Sequence, residues 1–333
     1  MKKTLYLLII AILFTAFNTS YAKTKNILII ETMPVKVITE HTKAITEYFE
    51  MLGIKDLNIK VLKAEGSKEK SLNLLNGEIQ KAIPDAVITL ATLSSMASHK
   101  VLMENNIPQI FAVVADPVGA GIISKENAPT GTNVTGRIYS MLRGTKIDML
   151  MRVLQPNKKI KFGVIHSDYP SAVGDLKGLR KSIPANTDIE FISYEIPYIN
   201  DSKSFYKMFD QVKDGVQALD DKIDYWWFVA GPLAERNEYH QAILKNSNKT
   251  IAMAHRPTQV KDGALMSVAP NFEAGGREIA KITLEILNGK DPGSITVTAP
   301  ENFILSVNIS KIIKLGLFLP SDMLKLAGNN VYK

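Results

Sequence analysis

Residues Ile110 to Met141 read IFAVVADPVGAGIISKENAPTGTNVTGRIYSM, and the order of their parts decides the fold. An apolar run of strand length, Ile110 to Val114, ends at Ala115-Asp116-Pro117. A glycine-containing loop follows, and a second strand begins around Asn133-Val134-Thr135-Gly136. Polar and turn-forming residues just beyond a buried strand are what the ligand-binding edge of an open α/β sheet requires.

Outward from that stretch, apolar runs of strand length alternate with segments of helical period, which predicts βαβ units and parallel sheets. Toward the N-terminus the expected strands are Asn26 to Ile30, Leu57 to Leu62 and Ala86 to Leu90. Between them, Ile38, His41, Ile45, Tyr48, Phe49 and Leu52 share one helical face, and helices are expected over Leu72 to Ile83 and Ser94 to Asn105. Beyond a helix around Lys146 to Leu154, Leu154-Gln155-Pro156-Asn157 stops the pattern and it starts again. Strands are expected at Lys161 to Ile165, Ile189 to Tyr194, Tyr225 to Val229, Ile251 to Ala254 and Leu265 to Ala269. Helices are expected at Ala172 to Ser182, Ser204 to Val216, Glu235 to Lys245 and Phe272 to Leu287, the last stopped by Asn288-Gly289. The reading is two Rossmann-like, doubly wound parallel-sheet domains joined by several short crossings. One lobe takes residues 23–138 plus about 270–295, the other 139–269 plus about 296–333.

Composition agrees with two domains. The 333 residues exceed the roughly 100 to 200 usual for one domain. The opening MKKTLYLLIIAILFTAFNTSYA carries two lysines, an apolar run and small residues around Ala22, the pattern of a cleaved secretory signal over residues 1–22. The run is shorter than the roughly 20 apolar residues that span a bilayer. There is no cysteine to accept a lipid, form a disulfide or bind metal as thiolate, so a periplasmic chain without a lipid anchor is expected. The formal charge of +7 is thinly spread, with no basic stripe interleaved with aromatics, which argues against nucleic acid.

Two such halves facing each other at their strand ends form a cleft that a hinge closes on a small molecule. The candidate contacts are the residues just after each strand. On the first half these are Thr32, Met33 and Pro34, then Thr92, Ser94 and Ser95, then Asp116 and Pro117. On the second they are His166, Ser167, Asp168 and Tyr169, then Ala230 and Gly231, then His255 and Arg256. Thr92, Ser94 and Ser95 carry the most weight, because hydroxyls and free amides at a helix N-terminus suit a carboxylate; the same hydroxyls could equally cap the helix. Asp116 could hold an ammonium group or fix its own turn. Tyr169 could stack on a ring or cover the domain edge, and Arg256 could meet ligand or an inter-domain acid. Trp226 and Trp227 are adjacent in a strand and read as core on opposite faces.

The usual enzyme signatures are missing. There is no Gly-x-Ser-x-Gly elbow, no P-loop and no His-Glu-x-x-His, and the histidines at 41, 99, 166, 240 and 255 lack metal-site spacing. Gly119-Ala120-Gly121 lacks the third glycine of a dinucleotide fingerprint. No catalytic residue, cofactor or metal is expected.

The chain resembles the substrate-binding proteins of ABC transporters of the tryptophan/tyrosine type, which are similar to type I periplasmic binding proteins. The marks are Ile107-Pro108 leading to Phe111 through Val118, Thr132-Asn133-Val134-Thr135-Gly136, Leu154-Gln155-Pro156, and Val260-Lys261-Asp262-Gly263-Ala264. Further marks are Gly275 or Gly276, Ile286-Leu287-Asn288-Gly289, Val307-Asn308, Leu315-Gly316 and Leu319-Pro320. The resemblance implies capture of a small solute, with an amino acid or small carboxylate as first expectation, and delivery to an ABC permease and its ATPase by a monomer. A sensor that reports to a membrane receptor would use the same fold. The family carries Gly-Thr where this chain has Ala91-Thr92, and often an Asp after the strand ending at Val229, where this chain has Ala230-Gly231-Pro232. It often has Asp-Tyr where this chain has Asn271-Phe272, which brings Asn271 into the candidate set. A polar anchor is therefore expected to be missing from the second lobe, which weakens the case for an α-ammonium group.

Overall fold

The computed structural model describes residues 24–185, 187–199, 205–300 and 302–333. The expected signal segment and the first residue of the helix expected from Ser204 lie outside them. Two sheets form the core. The first has the order β2-β1-β3-β4-β5, from β1 (Lys25–Glu31), β2 (Leu57–Lys63), β3 (Ala86–Leu90), β4 (Gln109–Val114) and β5 (Val134–Ile138), all paired in parallel. β3 and β4 are buried along their whole length, as expected of central strands covered by helices on both faces. Around this sheet lie α1 (Lys36–Met51), α2 (Lys68–Ile79) and α3 (Thr92–Glu104).

After α4 (Arg143–Leu154) the second sheet is built from β6 (Ile160–Ser167), β7 (Ile189–Ile196), β8 (Tyr225–Trp227), β9 (Thr250–Ala254), β10 (Met266–Pro270), β11 (Phe303–Asn308) and β12 (Val331–Tyr332). Their order is β12-β11-β10-β9-β8-β6-β7. Its helices are α5 (Pro170–Lys181), α6 (Lys207–Leu219), α7 (Asn237–Asn246) and α8 (Pro257–Lys261). Both lobes are thus α/β with parallel sheets, with one exception: β11 runs antiparallel to β10. The pairing follows from the route of the chain. Between β10 and β11 the chain leaves for the first lobe as α9 (Phe272–Leu287), then returns from the opposite direction. α10 (Ile309–Lys314) and α11 (Ser321–Ala327) close the second lobe.

α9 packs on α1, where a Cβ on Gly276 would stand 2.5 Å from that of Ala44, so only glycine admits this approach. Residues 296–298 still run beside the first sheet, through bridges of Thr296 to Pro129 and Thr298 to Arg137. The chain therefore crosses between lobes after β5, after β10 and before β11. Trp226 and Trp227 are both fully buried and belong to apolar clusters on opposite faces of the second sheet, as strand alternation requires.

Candidate functional site

The carboxyl ends of the two sheets face each other and are in contact. Arg143 of α4 donates to the Ala115 carbonyl beyond β4 at 3.1 Å. A Cβ on Gly174 of α5 would collide with Asp116, and the Tyr169 hydroxyl faces the Leu93 amide in the first turn of α3. Between these contacts lies a narrow cavity. The first lobe lines it with Met33, Val35, Val37, Ile38, Ala91, Val113 and Tyr139. The second contributes Tyr169, Ser171, Ala230, Gly231, Pro232 and Glu235.

Two of its first-lobe walls have an unusual backbone. Ala91, the N-cap of α3, has φ +78 and Val113 has φ +58. Positive φ is uncommon outside glycine and an outlier for a β-branched residue. Val113 sits where the β4–β5 register shifts, and the bulge turns its side chain toward the cavity. Ala91 is held by its amide bond to the Ala112 carbonyl and by its own carbonyl, which accepts from the Ser95 amide.

The candidates of the sequence separate into three groups. Met33, Tyr169 and Gly231 line the cavity. Thr92 follows the lining residue Ala91 and is buried, with a hydroxyl that finds no partner among the described residues. The others are occupied elsewhere. Thr32 Oγ1 donates to the Leu90 carbonyl at 2.6 Å and accepts from the Ser94 amide at 3.2 Å. Ser94 Oγ lies 2.7 Å from Thr32 Oγ1 and 2.9 Å from Ser71 Oγ, while Ser95 Oγ donates to Ala91 O at 2.9 Å. Hydroxyls expected to meet a ligand are spent on tying α3 to the sheet. Asp116 accepts from the Gly119 amide at 2.7 Å, fixing its own turn, and the Pro117 carbonyl accepts from Ile122. Asp168 accepts from the Tyr198 amide, and His166 contacts the Ser167 carbonyl at 2.9 Å. His166 and Ser167 border a small cavity beneath the Ala230-Gly231 loop, inside the second lobe. Asn271 caps α9 through Ala274 and lines a different cavity at the hinge.

The acid expected to be missing from the second lobe is present six residues later. Glu235 is buried and lines the cavity. Its Oε1 accepts from the Tyr139 hydroxyl at 3.1 Å, a bond between lobes, and lies 2.9 Å from His255 Nε2. Its Oε2 has an ion pair with Arg256 at 3.4 Å and no hydrogen bond. Burial alone raises a carboxyl pKa, but here His255, Arg256 and Tyr139 outweigh it and hold Glu235 below its ordinary range. Its backbone is clamped as well: Arg256 donates to the Glu235 carbonyl at 3.0 Å and Gln259 to the Ala234 carbonyl at 2.9 Å. Arg256 therefore supports Glu235 from within the same lobe rather than facing the ligand space or an acid of the other lobe. The helix expected from Glu235 begins instead at Asn237, and the residues before it form the loop that delivers the carboxylate. Tyr139 was likewise missed, because it follows β5 at a crossing rather than a strand end with a turn motif.

Beneath the Ala230 loop lies a second buried carboxylate. Asp175 Oδ2 accepts from the Ala230 amide at 2.8 Å, and Oδ1 accepts from Arg143 at 2.9 Å. Asp175 thus fixes a cavity-lining loop of the second lobe and, through Arg143, the end of β4 in the first. Among the described residues no group of three or more His, Cys, Asp or Glu is placed to hold a metal ion, and no helix is long and apolar enough to cross a membrane.

The same arrangement of two lobes occurs in solved structures. The chain superposes on a conserved domain protein from Vibrio cholerae with a TM-score of 0.74 and 21% identity, covering 93% of this chain and 100% of that one. It superposes on an ABC domain in complex with L-Trp from Streptococcus pneumonia with a TM-score of 0.75 and 18% identity over the same shares. The ligand-free, open structure of a substrate-binding protein with adhesive properties from Clostridium difficile gives 0.64 at 20% identity, covering 92% and 98%. In sequence, a tyrosine-binding protein from Clostridioides difficile (strain R20291) is 27% identical over 249 residues, which span 74% of this chain and 66% of that protein, just under two thirds of its length. The profile of the family described as ABC transporter substrate binding protein matches residues 26–331. With that match running through both lobes and every crossing between them, the chain belongs to the ABC transporter substrate-binding proteins.

Proposed function

We propose that this chain is the extracytoplasmic solute-binding protein of an ABC importer. It captures an α-amino acid between its lobes by hinge closure and presents the closed form to a membrane permease. The observation that carries the reading is the pairing of opposite chemistries across one cavity. On the first lobe, Ala91 opens α3, where the Thr92 hydroxyl, without a partner among the described residues, suits a carboxylate. On the second, Glu235 presents a carboxylate oxygen without a hydrogen bond, which suits an ammonium group. The walls between them are apolar, as in most small-molecule sites. The tyrosine-binding name of one relative and the L-Trp bound to one structural neighbour support the same class.

The mature chain from Lys23, unfolded and refolded to strip carried ligand, should show a melting shift with one or more amino acids. A ligand at about a hundredfold over its Kd stabilises by roughly 2.7 kcal/mol. The same ligand should reduce the radius of gyration seen by small-angle scattering. Superimposable profiles with and without a ligand that shifts the melting curve would exclude hinge closure.

A further inference from the structure

A second, narrow cavity lies on the hinge side of the first, and the two share Val113 and Tyr139 as walls. One face of α1 runs along both. Val37 and Ile38 line the interlobe cavity, and His41, one turn on, lines the hinge cavity. His41 is 5% exposed. Its Nδ1 lies 2.7 Å from the Val37 carbonyl, which can only accept, so in the neutral ring Nδ1 carries the hydrogen and Nε2 is a bare lone pair. Burial lowers the His41 pKa, although the Val37 carbonyl and the carboxylates of Glu235 and Glu278 oppose it, so the ring is neutral. Among the described residues nothing hydrogen-bonds Nε2. Nε2 is thus an acceptor left free at the wall of the hinge cavity.

The surroundings leave this lone pair open. A Cβ on Gly275 would stand 2.8 Å from Nε2, so a glycine at this position is what keeps the atom uncovered. The charged groups of the cavity are already matched, since Arg137 is bonded to Glu278 and Thr298. The path from the interlobe cavity is short and aromatic: the Tyr139 ring lies 6.4 Å from Phe272, which lies 5.8 Å from His41.

We propose that His41 Nε2 is the acceptor of a hinge-side subsite that selects amino acids whose side chain ends in a hydrogen-bond donor, a hydroxyl or an amide N–H. The inference rests on the amino-acid reading above and adds to it a specificity-determining residue. A site built to bond a donor rejects the analogue lacking it, because its buried acceptor is then left unpaired.

The test is calorimetric binding of two matched pairs, L-tyrosine with L-phenylalanine and L-glutamine with L-methionine, to the stripped protein and to His41→Leu and Gly275→Ala. In the unaltered protein the donor-bearing member of at least one pair should bind at least about tenfold more tightly. Both variants should erase that preference, one by removing the acceptor and the other by covering it, while phenylalanine or methionine keeps its affinity within about threefold. Equal binding within both pairs overturns the subsite and leaves the amino-acid reading standing. So does a uniform loss for both members in the variants, which marks a structural role for His41. If no member of either pair binds, the amino-acid reading itself fails and the subsite falls with it.

Discussion

The two lobes meet the cavity with different materials. The first lobe's cavity wall is neutral: its hydroxyls and first-turn amides are mostly spent holding α3 in place, and what it offers is apolar surface and two residues held at positive φ, Ala91 and Val113. The second lobe's edge is charged, with Glu235 bonded to Tyr139, His255 and Arg256, and Asp175 bonded to Arg143 and the Ala230 amide. One wall stores backbone strain and the other stores matched charge. Strain in a backbone is set when the lobe folds. A charge network that reaches across the cleft, as Glu235 does to Tyr139 and Arg143 does to Ala115, depends on where the other lobe sits. On the hinge closure proposed above, the second lobe is therefore the wall whose energy changes.

Breaking the charged wall should have the largest effect. Asp175→Ala leaves the half-buried Arg143 and the buried Lys146 without their acid, and removal of one member of a buried charge network costs about 3–5 kcal/mol. Urea denaturation should record that loss. The pH dependence has a definite sign. Burial pushes the Asp175 carboxyl up, but Lys146, Arg143 and the Ala230 amide together hold it below its ordinary value. A carboxyl whose folded pKa is depressed contributes stability that is complete above the unfolded value near 3.9 and is lost as pH falls through the folded one. The unaltered protein should therefore lose stability below about pH 4, and Asp175→Ala should lack that part of the acid limb. An acid limb identical in the two proteins would detach Asp175 from the network.

Glu235→Gln tests the same wall at the ligand. The amide keeps the shape and one acceptor but removes the charge, so an amino acid should bind about 30-fold more weakly, near the 2 kcal/mol lower end for truncating a buried charge pair. Deaminated analogues of the same ligand should be nearly indifferent to the change, and titration calorimetry separates the two. Equal losses for both would assign Glu235 to closure through Tyr139 rather than to the ammonium group.

The contrast also explains what was legible in the sequence. The alternation of strands and helices, the two sheets and α9 from Phe272 to Leu287 follow from apolar periodicity, which burial enforces. Positions just after a strand were legible as the cleft edge, and Met33, Tyr169 and Gly231 do line it. Which way each side chain turns there was not. Ser94 and Ser95 belong to the same helical turn as Thr92, yet only Thr92 is left without a partner, because Thr32 and Ser71 come from distant segments to bond Ser94. Glu235 was hidden for a related reason: its loop is shaped by Gln259 and Arg256, more than twenty residues away. Periodicity reports the scaffold, whereas the polar edge is decided by long-range hydrogen bonds that no local pattern contains.

The smallest and most discriminating change is a matched pair of substitutions, one on each wall. Ala91 holds φ +78 in a position where the resembling family carries glycine, so Ala91→Gly relieves a steric penalty without removing a hydrogen bond. Gly231 holds φ +142 on the opposite wall, and a Cβ there would stand 2.9 Å from that of Ala172. The reverse change, Gly231→Ala, adds the same strain together with a collision. Ala91→Gly should raise stability by roughly 0.5–1 kcal/mol, a gain limited by the greater freedom of glycine in the unfolded chain; Gly231→Ala should lower it by more than that. Chemical denaturation of the two variants gives both signs in one experiment. If Ala91→Gly is neutral or destabilising, the left-handed turn at the start of α3 is not strained and the first wall loses the property that sets it apart. If it stabilises, the protein is holding an alanine against a backbone preference at the one position where its methyl group also forms cavity wall, and ligand affinity in the variant reads how much that methyl contributes to the fit.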